Sequence, residues 1–361
     1  MAPSRPYLGR RCDFINDREG IAPGEPEYAQ VHILHCIDSS QHWGQTDAMT
    51  IHVLGFPTTL GLPRHAVRHA PEALRATGLL DFLGQLDSRV IDHGDMALPP
   101  GLRSDPVPVR IAKVVEAARR QQQHWQRVAR PGDLLLTIGG DHSTSLGTIM
   151  ALAALGYDFD VVWVDAHGDF NTVETSPSGN PHGMVLALAT GLLPDAMDGV
   201  IRPDRLRLWG IRDLDPGERR LLSEARVEVV SPAEVRARRA ELLAGLRPNV
   251  FVSFDIDSVD PAEAPGTMTP VPGGFTGDEA VSLVADIVRG RNLLALDVVE
   301  FHPDRDEGDA TGRLAHAVIR AALEAWRGQS PIRSGSPCAS RSDADSRPSA
   351  CASPTRRLYS P

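Results

Sequence analysis

The sequence predicts an α/β fold, a three-layer α/β/α domain on a central, mostly parallel sheet of about eight strands. Three observations predict it. Apolar stretches of strand length alternate with longer helical stretches between residues 50 and 327. Several strand stretches, VVWV and NVFVSF among them, are near-continuous hydrophobic runs, which suit parallel strands covered by helices on both faces. Acidic and imidazole side chains gather just after the last apolar residue of four strands, where open parallel sheets bind their ligands.

Residues 1–48 show no clear period and are expected to form a poorly ordered extension. Three histidines there, His32, His35 and His42, have no supporting acids nearby, so we assign them no metal. The compact domain is expected to span 49–327. Strands are expected at 50–56, 89–92, 133–138, 160–165, 205–211, 227–230, 249–255 and 293–300. Helices are expected at 71–76, 107–128, 145–154, 218–224, 232–246, 277–289 and 311–327. Residues 328–361 are rich in Ser, Pro and Arg and poor in apolar side chains, so a disordered tail is expected.

Composition removes several function classes. Of 361 residues, 42% are hydrophobic and 23% charged, ordinary for a globular chain able to bury a core. A net charge of -10 argues against a nucleic-acid partner. No apolar run reaches the roughly 18 residues of a membrane helix, and no apolar segment of a signal peptide follows the basic N-terminus. Cys12, Cys36, Cys338 and Cys351 lie near the chain ends without a CxxC pair. They read as free thiols and fit a reducing cytoplasm.

The chemistry sits at four strand ends. Gly139-Gly140-Asp141-His142-Ser143 follows the third strand, and its two glycines permit a tight turn that carries His142 over the strand end. Asp165-Ala166-His167-Gly168-Asp169 follows the fourth, and alternate residues of an extended segment point to one side. Asp255-Ile256-Asp257 repeats that alternation after VFVSF, and Glu300 follows LLALDVV. Alone, each has a plainer reading: His142 as a helix cap, Asp255 and Asp257 as caps or an ion pair. Together, four buried carboxylates beside two histidines need cations to offset the cost of burial. The donor set suits manganese, with zinc, cobalt and iron as open alternatives. Six ligands suit two ions that share aspartates.

GGDHS, DAHGDFN, SFDIDSVDP and the glutamate of DVVEFHP resemble the motif set of the ureohydrolase superfamily, the arginases, agmatinases and formimidoylglutamases, over most of 49–327. The resemblance implies the arginase-like fold and two Mn2+ ions per subunit. His142, Asp165, Asp169 and Asp255 would hold one ion. Asp165, His167, Asp255 and Asp257 would hold the other, and a hydroxide bridging the two would hydrogen-bond Asp169. The loop NTVETSPSGNPHG is similar to the arginase loop, which implies that Asn171, Ser176 and Ser178 recognise an α-carboxylate and that His182 moves a proton. GIRDLDPGE is similar to a second arginase stretch, which implies that Asp215 faces the α-amino group with Asp213 and Glu218 in support. Hydroxyls and an amide for a carboxylate, and a carboxylate for an ammonium, make chemical sense. Glu300 would pair with the guanidinium.

Three stretches depart from the family pattern: TTLGLPRHAVRHAPEAL after the first strand, Phe301-His302-Pro303 after Glu300, and Pro181 before His182. Pro181 restricts Asn180 and fixes its own φ, so it bears on where His182 points. The expected function is hydrolysis of L-arginine to L-ornithine and urea by a cytoplasmic homo-oligomer, a trimer or hexamer. Other ureohydrolases acting on agmatine, guanidinobutyrate or a formimino amino acid are the alternatives, and a non-catalytic metal-binding scaffold is the remaining one.

Overall fold

The computed structural model describes residues 49–62, 65–86, 88–99, 101–102 and 104–327. The expected extension at 1–48 and tail at 328–361 lie outside the described residues. Eight strands form one sheet: β1 (Thr50–Phe56), β2 (Arg89–Asp95), β3 (Leu134–Gly139), β4 (Asp160–Val164), β5 (Leu206–Trp209), β6 (Glu228–Val230), β7 (Asn249–Asp255) and β8 (Asn292–Val299). Their order is β2-β1-β3-β8-β7-β4-β5-β6. Every pairing is parallel, so the sheet is wholly rather than mostly parallel.

The helices are α1 (Ala70–Leu74), α2 (Leu80–Gly84), α3 (Val107–Val128), α4 (Thr144–Ala154), α5 (Val185–Thr190), α6 (Pro216–Glu224), α7 (Pro232–Ala244), α8 (Gly277–Val288) and α9 (Ala310–Arg327). Two differ from expectation. The helix expected at 71–76 is two short helices joined by a wide turn at Arg75–Leu79, where Gly78 takes φ 85°. The apolar run of α5 carries no helical period that the sequence reveals, because it is buried on every side.

Each strand's alternation splits its side chains between two cores. Ile51, Val53, Leu134, Leu136, Val250 and Val252 pack under α1, α2, α7, α8 and α9. Leu54, Phe56, Leu135, Val161, Trp163 and Phe251 pack under α3, α4, α5 and α6. Burial on both faces explains why these strands read as unbroken apolar runs. Capping boxes start two of the helices, Ser231 with Glu234 at α7 and Thr276 with Glu279 at α8.

The order places β3, β8, β7 and β4 side by side at the middle of the sheet. These are the four strands whose carboxyl ends carry the acid and imidazole motifs. The sheet itself therefore gathers residues that lie more than a hundred positions apart.

Candidate active site

The turn after β3 works because position 140 has no side chain. A Cβ there would lie 2.0 Å from the Thr58 carbonyl oxygen. The close approach lets Gly140 N donate to Phe56 O and Asp141 N to Thr58 O, which fixes the path into His142. The His142 ring stacks on Trp163 of β4, with centroids 3.9 Å apart and planes 4° from parallel. Its Nε2 lies 2.8 Å from Ser253 Oγ on β7. Its Nδ1 lies 3.0 Å from an oxygen of each of Asp165, Asp169 and Asp255.

Simple alternation does not produce this convergence, as the sequence had suggested. β4 ends at Val164 and the chain bends at 165 and 166. His167 then forms a parallel bridge with Asp213, and Asp169 enters the site through a left-handed backbone, φ 47°. After β7, residues Ile256–Ser258 form a single 3-10 turn. Asp255 accepts from Asp257 N at 2.8 Å, so the turn, not an extended run, brings both carboxylates inward. Glu300 likewise takes φ 59°. A left-handed non-glycine residue costs about 1–3 kcal/mol, and strain of this kind clusters at functional sites.

His167 Nδ1 lies 3.4 Å from Asp165 Oδ1 and 3.1 Å from Asp257 Oδ2. Asp165 thus turns one oxygen to each histidine. Asp255 turns Oδ2 to His142, while its Oδ1 takes the Asp257 amide. Among the described residues two groups could therefore hold a metal ion, His142 with Asp165 and Asp169, and Asp165 with His167 and Asp257.

The electrostatics ask for positive charge. Burial opposes charge on His142 and His167, yet the surrounding carboxylates outweigh it and hold both imidazolium forms to well above the ordinary histidine range. Burial, then repulsion from Asp257 and Asp165, pushes Asp255 well up, and burial pushes Asp257 and Asp169 up. Asp165 goes the other way, because the two histidines overcome its burial. His142 Nδ1 and Asp165 Oδ2 are buried and face each other at 3.0 Å, yet among the described residues neither makes a hydrogen bond of good geometry. Acid and imidazole atoms converging without good hydrogen bonds in a buried centre fit divalent cations, which would take the place of the shared protons.

A cavity of about 230 Å³ opens onto this centre. His167, Asp169, Asp255 and Asp257 line it together with Asn171, Ser176, Ser178, Asp213, Asp215, Glu218 and His182. Asn171 Nδ2 donates to Asp215 at 3.1 Å, which joins the two loops. Asp215 stands at the N-cap position of α6 but makes no side-chain cap there, so its carboxylate is directed elsewhere. Glu218 accepts from Phe170 N at 2.8 Å. Burial, with help from nearby Asp169 and Asp215, pushes it up to about 8.

Pro181 opens a 3-10 turn, Pro181–Met184, that carries His182. Asn180 before it is extended, φ -86° and ψ 122°, as a proline requires. His182 Nδ1 lies 2.8 Å from Glu300 Oε1, which also accepts from His142 N at 2.9 Å. Glu300 is 1% exposed, and its Oε2 has no hydrogen-bond partner among the described residues.

Five supporting residues escaped the sequence reading. Ser253 and Ser145, 2.9 Å apart, back His142. Asp141 accepts from Gly61 N, Leu62 N and Ser143 N, tying the loop after β1 to the His142 turn. Thr269 donates to Asp257 Oδ2 at 2.8 Å. The Arg212 guanidinium donates to carbonyls of Gly210, Asp257, Ser258, Val271 and Pro272, which anchors the Asp257 turn. Only Asp141 and Arg212 left a signal, as charged residues inside the quoted motifs.

Comparison with known proteins agrees with this geometry. A sequence model described as the Arginase family matches residues 49–324. The arginase of Bacillus caldovelox is 33% identical over 287 residues, covering 74% of this chain and 96% of that one. The hepatic arginase of Aquarana catesbeiana is 34% identical over 285 residues, 73% of this chain and 88% of that one. A solved structure of the B. caldovelox arginase superposes with TM-score 0.71 at 31% identity, covering 79% of this chain and all of that one, 100%. The wholly parallel eight-stranded sheet, the paired acid–imidazole groups at its centre and these similarities together place the chain in the arginase family.

Proposed function

We propose that the protein is a manganese-dependent arginase, hydrolysing the guanidinium group of L-arginine to L-ornithine and urea. One observation carries the reading. His167, Asp169, Asp255 and Asp257 of the acid–imidazole centre line the same cavity as the residues suited to an α-amino acid. His142, Asp165, Asp169 and Asp255 would hold one ion, and Asp165, His167, Asp255 and Asp257 the other. When bound, such ions supply a water ionised near neutral pH and a Lewis acid for the charge that develops.

The remaining steps belong to side chains of this chain. Glu300 has one oxygen committed to His142 N and His182, and a free Oε2 to accept from the guanidinium. Asp169 would orient the attacking water from the cavity wall. His182, held through Nδ1 by Glu300, keeps Nε2 to pass a proton to the leaving amine. Asn171, Ser176 and Ser178 would take the α-carboxylate, and Asp215, with Asp213 and Glu218 around it, the α-amino group. Manganese as the metal, a cytoplasmic location and a trimeric or hexameric assembly rest on the family resemblance.

Metal removal tests the proposal. Dialysis against a chelator is expected to abolish urea release from L-arginine, and added Mn2+ to restore it with two ions per chain. Full activity in metal-free protein would overturn the reading.

A further inference from the structure

We infer that Arg110, a side chain of α3 outside the cavity, is a positioning residue that sets the 171–183 loop to receive an α-carboxylate. The inference rests on the arginase reading and goes beyond it to a residue that takes no part in the chemistry. Arg110 is only 7% exposed. Its Nη1 donates to Asn180 Oδ1 at 2.9 Å, and its Nη2 to the Gly179 carbonyl at 2.5 Å.

The loop is otherwise held mainly from within. Thr172, Glu174, Thr175, Ser176 and Ser178 hydrogen-bond to one another or to loop backbone. Asn171 and His182 are tied to the scaffold at its two ends, through Asp215 and the Gly61 carbonyl. Between those ends, Arg110 is the only residue outside the loop, among the described residues, that hydrogen-bonds to it.

The residues that Arg110 grips, Gly179 by its carbonyl and Asn180 by its side-chain amide, are the two whose backbone N–H groups engage the serines. Gly179 N donates to Ser176 Oγ at 3.0 Å, and Asn180 N donates to Ser178 Oγ at 3.2 Å. Each hydroxyl oxygen is thereby engaged as an acceptor, which leaves each O–H as a donor. The two oxygens stand 3.3 Å apart, hydrogen-bonded to each other, and both O–H groups can turn from that contact onto one carboxylate. Gly179 reaches this geometry with φ 60°, packed so closely on α3 that a Cβ would sit 3.0 Å from Val107 Cγ2. A fork of two N–H donors on a backbone carbonyl and an amide oxygen fixes both position and angle of the loop.

The placement of Arg110 is poor for the helix that carries it. It lies in the first turn of α3, where the helix dipole disfavours a cation, and it is buried. Its Nε is buried without a partner among the described residues. The two loop contacts are what offsets that cost. His182, in contrast, is fixed independently by Pro181, by the Gly61 carbonyl and by Glu300. Loss of Arg110 should therefore act on carboxylate recognition more than on the chemical step.

The test compares L-arginine with agmatine, its counterpart without the α-carboxylate, in wild type, Arg110→Met and Arg110→Lys, each loaded with manganese. Arg110→Met is expected to raise KM for L-arginine about 10-fold or more with kcat nearly kept, since small misplacements of a positioning group have effects of this size. Metal content and agmatine turnover are expected to stay at wild-type levels, so the preference for L-arginine falls by the same factor. Arg110→Lys, with a single point charge in place of the fork, should fall between the two, and it decides the matter if Arg110→Met does not fold. Equal losses on both substrates, or an unchanged preference in either folded variant, would overturn the inference. Wild-type protein inert toward L-arginine would remove the arginase reading first, and this inference with it.

Discussion

Replacing Ser253 by alanine isolates the support behind one metal ligand. With Nδ1 of His142 turned toward three carboxylates, Nε2 carries the proton and donates to Ser253 Oγ at 2.8 Å. Both residues are buried, His142 at 1% exposure and Ser253 at 0%, and Trp163 covers the ring face. The lost acceptor therefore lies away from bulk solvent. An unsatisfied buried donor costs about 1–3 kcal/mol. Removing the second hydrogen-bond partner of a metal-ligating histidine typically costs ~10–100-fold in metal affinity, which agrees with that range. The loss should fall on the ion held with His142 and spare the ion held with His167, whose ligand Asp257 is backed by Thr269 instead. A chelator-competition titration resolves the two steps: the Ser253→Ala curve should show one step shifted and one unchanged. Two steps at wild-type affinity would refute the idea that Ser253 holds the ring for metal.

Two further outcomes follow from other parts of the structure. His182→Ala should keep its metal content and slow urea release by roughly 10²-fold or more, the range typical of a positioned proton donor, as measured by kcat at saturating L-arginine. Away from the site, His52, His93 and His124 form a contiguous cluster, with rings 5.2 Å apart for the first pair and 4.7 Å for the second. Burial, followed by His93, Arg127 and His52, lowers His124 to about 4, and burial with His52 lowers His93. The unfolded chain binds these protons first, so stability falls as the pH drops from about 6.5 towards 4. For half-buried His124 the loss is about 1–2 kcal/mol after allowance for solvent screening. Denaturant midpoints of metal-free His124→Gln should vary less with pH across that window than those of wild type.

Much of the fold is legible in the sequence, and for a physical reason. Strands such as NVFVSF and VVWV are buried on both faces, so their hydrophobicity is unbroken and their ends are sharp; β1, β7 and α3 have the bounds expected of them. The acid and imidazole positions stand out because so many charges in a row rarely follow a buried strand. How they converge is not legible. Alternation predicts that Asp169 and Asp257 arrive by extended backbone, whereas a left-handed residue and a 3-10 turn bring them in. Neither carries a residue type, such as glycine, that would announce it. Ser253, Ser145 and Thr269 are hidden for another reason: hydroxyls are common everywhere, and only strand order puts these beside His142 and Asp257. Arg110 lies some seventy positions from the loop it grips, and only the packing of α3 on that loop gives it meaning.

The stretch from Asp165 to Asp169 fits any hydrolase of this superfamily, while the loop from Asn171 to His182, with Asp215 across from it, is what narrows the substrate. The most direct measurement is urea release by the manganese-loaded protein, with kcat/KM compared for L-arginine and agmatine. The arginase reading predicts turnover of L-arginine and a strong preference for it over agmatine. A preference for agmatine, or no urea from L-arginine with both ions bound, would contradict it.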